Sequence, residues 1–173
     1  MSRIARLFWV LLGLTAIVYL VIVLWSLPII TRDAGGLTPF DLRPLGYDVD
    51  DAVAFLSALG ETGLAQYQGA QRILDTIYPA LMAATLVLAF ARLFRWRTAL
   101  AFGVVTVLAA VFDYRENIAV ADLLALGATG VDEKTVGTAA LMTVLKTVFT
   151  SIAMLGLLVG LVQAGWRRWV RRA

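Results

Sequence analysis

Asp113, Glu116 and Asn117 stand at i, i+3 and i+4, a spacing that gathers side chains on one side of a helix. Two carboxylates so close repel each other unless a cation or a shared proton intervenes. Lys146 is the one Lys or Arg inside a later apolar stretch and supplies such a cation. A third polar group joins Asp75 to Tyr78 and Pro79. Proline has no N–H, so inside a helix the carbonyl of Asp75 loses its partner. Carboxylates beside a lysine can move protons, hold a ligand or lock two helices together. The chain contains no His and no Cys. That excludes thiolate nucleophiles, His bases, His-ligated haem and the usual zinc sites. No dense catalytic motif surrounds the carboxylates, so no reaction is assigned and no cofactor or metal is expected.

These groups interrupt helix-length apolar segments. Of the 173 residues, 61% are hydrophobic, against about 45–50% in a soluble domain. The pattern predicts an all-α integral membrane four-helix bundle, one domain over 1–173. The expected spans are about 7–30, 75–94, 98–126 and 138–163. A hydrocarbon core of about 30 Å needs roughly 20 helical residues. The first segment is far longer than the apolar core of a signal peptide, about 7–15 residues, and reads as a retained span.

Charge sets the expected orientation. Arg3, Arg6, Arg92, Arg95, Arg97, Arg167, Arg168, Arg171 and Arg172 all fall on one side of a four-span chain, with no acidic residue among them. Cytoplasmic loops carry such an excess, so both termini are expected in the cytoplasm of a bacterial-type inner membrane. Trp96, Trp166 and Trp169 sit beside these arginines, as interfacial anchors do. Basic residues do not form a stripe interleaved with aromatics in a soluble region, and nucleic acid is not an expected partner.

Counted from the basic side, Asp113 lies about 22 Å along its span, Lys146 about 25 Å and Asp75 about 28 Å, at 1.5 Å per residue. All three groups therefore lie in the outer third of the bilayer or at its outer boundary. Ionisable groups at that depth are a functional-site hypothesis by default. The expectation is one pocket near the outer leaflet, lined by Asp75, Tyr78, Asp113, Glu116, Asn117 and Lys146. An interhelical salt bridge with nothing bound is the competing reading. Arg115, about 200° round the helix from Asp113, is expected to face outward.

The outer loop, about 31–74, is Pro- and Gly-punctuated near 37–47 and then helical. Asp48 and Asp51 are placed for a capping box, Gly60 to close that helix, and a further helix opens near Thr62. The expected role is an amphipathic pair lying on or capping the bundle, or a lid over a site. Gly156 and Gly160 form a GxxxG, which serves close packing within the bundle or in a homodimer or a membrane-protein complex.

Three stretches, 39–47 (PFDLRPLGY), 74–79 (LDTIYP) and 112–117 (FDYREN), together resemble a family of small uncharacterised four-span proteins of bacterial inner membranes. That resemblance implies the span pattern and no activity. In layout the chain is also similar to EXPERA proteins, which bind sterol-like ligands: termini inside, a long first outer loop, and an acidic residue then Pro opening the second span, here Asp75 and Pro79. Isomerase members of that group use a His that this chain lacks, so the likeness implies a lipid-accessible cavity without their catalysis.

The working expectation is a non-enzymatic one: binding membrane lipid or another amphipathic small molecule, or acting as an accessory subunit of a membrane complex. A lipid-modifying enzyme using Asp, Glu and Lys, or ion or proton conduction, are the alternatives. The topology is tested with reporter fusions. A fusion after residue 173 should report the cytoplasm and one near Leu45 the opposite side, and a C-terminus outside would overturn the depth argument.

Overall fold

Prolines and wide turns decide where the helices bend. The computed structural model describes residues 2–170; Arg171 and Arg172 of the terminal basic cluster lie outside them. The chain is 86% helical, with no strand among the described residues. α1 spans Arg3–Asp33 and widens into a π turn over Ile22–Ser26, just ahead of Pro28. A short 3-10 turn, Phe40–Leu42, and α2, Val49–Ala58, follow. α3 spans Glu61–Leu93, with a π turn over Tyr67–Gln71. α4 is Trp96–Leu126 and α5 is Glu133–Val170. α1, α3, α4 and α5 are each long and apolar enough to cross a membrane. Arg3, Arg6, Arg92, Arg95, Arg97 and Arg167 lie at one end of the bundle and the acidic loops at the other.

Boundaries differ from expectation chiefly in α3. The helix opening near residue 62 and the span expected from Asp75 are one rod. A π turn admits one extra residue per turn without breaking the helix. It leaves Tyr67 and Gln71 buried. The π turn of α1 buries Ile22 and Ser26 in the same way, and Gln66 Nε2 donates to Ser26 Oγ across 2.8 Å. The two wide turns thus lie side by side.

Gly60 does not close α2. Leu59 ends that helix in extended backbone, and Gly60 is the N-cap of α3, with φ −80°. Its lack of a side chain serves proximity. A Cβ at Gly60 would stand 2.8 Å from Asp33 Oδ2, and one at Gly63 2.6 Å from the same atom. Asp33, at the end of α1, accepts from the Gly63 N–H at 2.7 Å. A carboxylate from another helix therefore does the work of an N-cap side chain. The expected box on α2 is present: Asp51 N donates to Asp48 Oδ1 at 2.8 Å, with a longer return contact of 3.5 Å. Asp132 caps α5 by accepting from Thr135 N at 2.8 Å. Those hydrogen bonds to Thr135 lower the Asp132 carboxyl below its usual range.

α4 packs between α3 and α5, whereas α1 packs chiefly on α3. Over Arg3–Val21 α1 has no buried residue. It is held by point contacts: Thr15 to Thr85 at 2.9 Å, Tyr19 against Tyr78 at 5.9 Å and Arg92 over the Phe8 ring at 4.7 Å. Toward the basic end the core is aromatic, with Phe102 stacked on Phe90 at 5.1 Å and tilted on Phe94 at 5.4 Å. Gly156 and Gly160 receive those rings, since a Cβ would meet Phe102 at 2.4 Å and Phe94 at 2.9 Å respectively. The GxxxG is thus used for close approach inside the chain. At the acidic end Phe40, Phe55, Tyr67, Leu123 and Val136 form a second core. The segment after α1 folds over the bundle as a cap. Gly46 permits this, because its φ of 87° suits glycine and Val144 lies 3.4 Å from where a Cβ would be.

Gly156→Ala should cost about 1–3 kcal/mol by overpacking against Phe102. Gly165→Ala, where nothing lies within 4 Å, should be neutral or stabilise slightly. Thermal unfolding of both variants in detergent checks the pair; equal melting temperatures would show that the ring moves aside freely.

Candidate functional site

The polar layer is built from three helices and one turn. α3 supplies Gln71, Asp75 and Tyr78, α4 supplies Asp113, Glu116 and Asn117, α5 supplies Lys146, and the 3-10 turn of the cap supplies Asp41. Lys146 Nζ forms an ion pair with Glu116 Oε2 and lies 3.9 Å from Asp113 Oδ1. The Glu116 side chain is wholly buried, and those of Asp113 and Lys146 are 11% and 16% exposed. The expected pairing is therefore present, with two carboxylates sharing one ammonium. Arg115 is exposed, as its position round the helix predicts.

Pro79 lies inside α3 and is buried. Asn117 Nδ2 donates to the Asp75 carbonyl at 2.9 Å, the carbonyl that Pro79 deprives of an N–H. Tyr114 Oη donates at 2.9 Å to the next carbonyl, that of Thr76. Asn117 thus satisfies the carbonyl that the proline frees, as backbone polar groups away from water require, and Tyr114 adds a second, exposed tie beside it.

The six expected residues do not line a single pocket. Asp75, Tyr78, Asp113 and Lys146 line a groove of about 270 Å³ between α1 and α5. Its apolar wall comes from Ile22, Val23, Leu27 and Met82, and its rim from Tyr19, Thr147 and Ser151. Asn117 lines a different cavity of about 380 Å³ between α3 and α4. Glu116 lines neither and is sealed behind Lys146. Consecutive helix positions are about 100° apart. On α4, packed between two partners, that angle sends Glu116 toward α5 and Asn117 toward α3.

Asp41, Gln71 and Tyr67 complete the site and were not among the expected residues. Asp41 and Asp75 line both cavities. Tyr67 Oη donates to Asp41 Oδ2, and Gln71 Nε2 donates to Asp75 Oδ1 at 2.9 Å. Gln71 is 1% exposed, lines the groove, and its Oε1 has no hydrogen-bond partner. The signal for Gln71 was its place one turn before Asp75 on the inward face. For Asp41 the flanking Phe40 was the available hint, since burying Phe40 carries its neighbour down onto the bundle. From the cap, Tyr47 also reaches inward. Burial raises its phenol well above the usual range, and its hydroxyl is buried without a partner of good geometry.

Among the described residues, no group of three or more Asp and Glu side chains is arranged to hold a metal ion. The arrangement is a carboxylate-rich floor with one neutralised lysine, reached through an apolar groove. No protein-family model matches this chain, nor does any curated protein or solved structure.

The proline–asparagine relation yields a double-mutant test. Asn117→Leu leaves the Asp75 carbonyl unpaired and should cost about 1–3 kcal/mol. Pro79→Ala restores a helical N–H to that carbonyl, so Asn117→Leu should cost markedly less in that background. Additive losses in a stability cycle would show that Asn117 does not act through the proline.

Proposed function

We propose that this protein is a multi-pass protein of a bacterial inner membrane, with both termini in the cytoplasm, that binds a lipid or other amphipathic small molecule in the groove between α1 and α5. The observation that carries the reading is the groove itself. Its floor is polar, with Asp75, Asp113 and Lys146, while Ile22, Val23, Leu27 and Met82 make an apolar wall. Ligand sites commonly join a mostly apolar lining to a few convergent polar groups. Polar groups at the depth of a bilayer are tolerated where they face protein or a cavity rather than hydrocarbon.

The four long apolar helices and the arginine-rich end support the membrane placement. In that setting the exposed side chains of Tyr19, Val23 and Ser151 put the groove's edge against acyl chains. A ligand entering sideways would keep its tail beside α1 and its polar end on the carboxylate floor. Over Arg3–Val21 α1 buries no residue, which leaves that side of the groove open to such entry.

Native mass spectrometry from gentle detergent provides the test. The wild-type protein should retain lipid-sized mass. Thr147→Trp combined with Ser151→Trp fills the groove and should lower occupancy about tenfold, a loss near 1.4 kcal/mol, with the melting temperature unchanged. Equal lipid retention by both proteins would remove the groove as the site. Fixed protein partners in place of lipid would favour the accessory-subunit reading.

A further inference from the structure

The second cavity, between α3 and α4, differs in charge from the groove and adjoins it only through Asp41 and Asp75. Its polar lining is Asp41, Tyr67, Gln68, Arg72, Asp75 and Asn117, with Val120 and Leu124 on the α4 side. We propose that this cavity is a binding site for a small zwitterion, a group carrying an ammonium and a phosphate or carboxylate a few bonds apart.

Three observations lead there. Arg72 forms no ion pair among the described residues, although Asp75 stands three residues along the same helix, a spacing that commonly pairs. Instead, the carboxylate of Asp75 accepts from Gln71 and that of Asp41 accepts from Tyr67. Arg72, Asp41 and Asp75 therefore line one space, with the arginine paired to neither acidic side chain. Next, the π turn over Tyr67–Gln71 separates the roles of neighbouring residues. Tyr67 and Gln71 are buried, while Gln68 and Arg72 remain exposed at the cavity's edge. Such turns often mark functional positions. Finally, about 380 Å³ falls within the usual range for small-ligand sites, roughly 300–1,000 Å³.

The charge pattern also excludes simpler ligands. An anion drawn to Arg72 meets the carboxylates of Asp41 and Asp75, and a cation drawn to those carboxylates meets Arg72. A zwitterion satisfies both ends, so selectivity comes from rejecting single charges as much as from attraction. Arg presents a planar fork suited to phosphate or carboxylate, and Asn117 and Gln68 add neutral hydrogen-bonding groups. The same chemistry is carried by a free solute and by the head group of a zwitterionic phospholipid.

The test uses the full chain in phosphatidylglycerol nanodiscs, with O-phosphoethanolamine as the free probe and ethanolamine and inorganic phosphate as single-charge controls. In a parallel arm, nanodiscs mix phosphatidylethanolamine with phosphatidylglycerol and retained lipid is read by native mass spectrometry. A free-solute site binds O-phosphoethanolamine about tenfold or more tighter than either control. A head-group site instead retains phosphatidylethanolamine selectively. In either case Arg72→Gln, an exposed position, should weaken binding about tenfold, and Arg115→Gln should not. The groove-filling Thr147→Trp should leave this binding unchanged. If Thr147→Trp abolishes it, the zwitterion sits in the groove and the proposal fails while the groove reading stands. Inorganic phosphate binding as tightly as O-phosphoethanolamine, indifference to Arg72→Gln, or no binding in either arm would each overturn it.

Discussion

The bundle depends on how one buried ammonium is shared. Lys146 cannot sit within apolar helices uncompensated, and Glu116 answers it from α4 with a side chain that has no contact with solvent. Once that pair forms, α4 and α5 have a fixed rotation about each other. Asp113 then lies at the margin of the same charge, close enough to be held and far enough to face the groove. Everything exposed in the polar layer is what remains after that pairing. Buried ion pairs contribute little net stability compared with apolar packing. Their presence here therefore points to register and to the floor of the groove rather than to strength.

A second constraint runs through the backbone. Pro79 removes one N–H from α3, and α4 answers with Asn117 and Tyr114 on successive carbonyls. α4 is thus fastened on one side by charge and on the other by hydrogen bonds to a disrupted helix. Its two neighbours are read by adjacent residues, Glu116 and Asn117. The central helix is tied on both sides, whereas α1 buries no residue over Arg3–Val21 and is anchored to α3 chiefly through its second half.

Much of this was legible in the residues. The four long helices follow from apolar run length, and the pairing of Lys146 follows from its matching depth and its isolation. The α2 capping box and the outward Arg115 follow from helical spacing alone. What was hidden depends on the third dimension. The i, i+3, i+4 spacing puts Asp113, Glu116 and Asn117 near one another, yet it says nothing of a neighbour on each side of α4, so one expected pocket became two cavities and a sealed ion pair. The freed Asp75 carbonyl was expected, while its partner was placed in the pocket instead of on that carbonyl. Gly60 looked like a helix stop because glycine often is one. Its actual use, admitting Asp33, depends on a residue distant in sequence. Neither π turn was expected: one extra residue turns the pattern by only about 100°, and in helices apolar on most sides that shift is hard to read.

The clasp between Asp33 and Gly63 has a consequence for how such a chain can change over time. It brings the end of α1 and the start of α3 together, so the cap between them leaves the bundle and returns at nearly the same point. Closing a loop of that kind grows only slowly more costly with length, about 0.6 kcal/mol per doubling. Insertions or replacements beyond the clasp need not alter how the long helices meet. The exposed part of the cap can thus vary as a cassette on that footing, while Phe40, Asp41, Tyr47 and Phe55, which reach down to the bundle, are the side chains whose loss would be felt below.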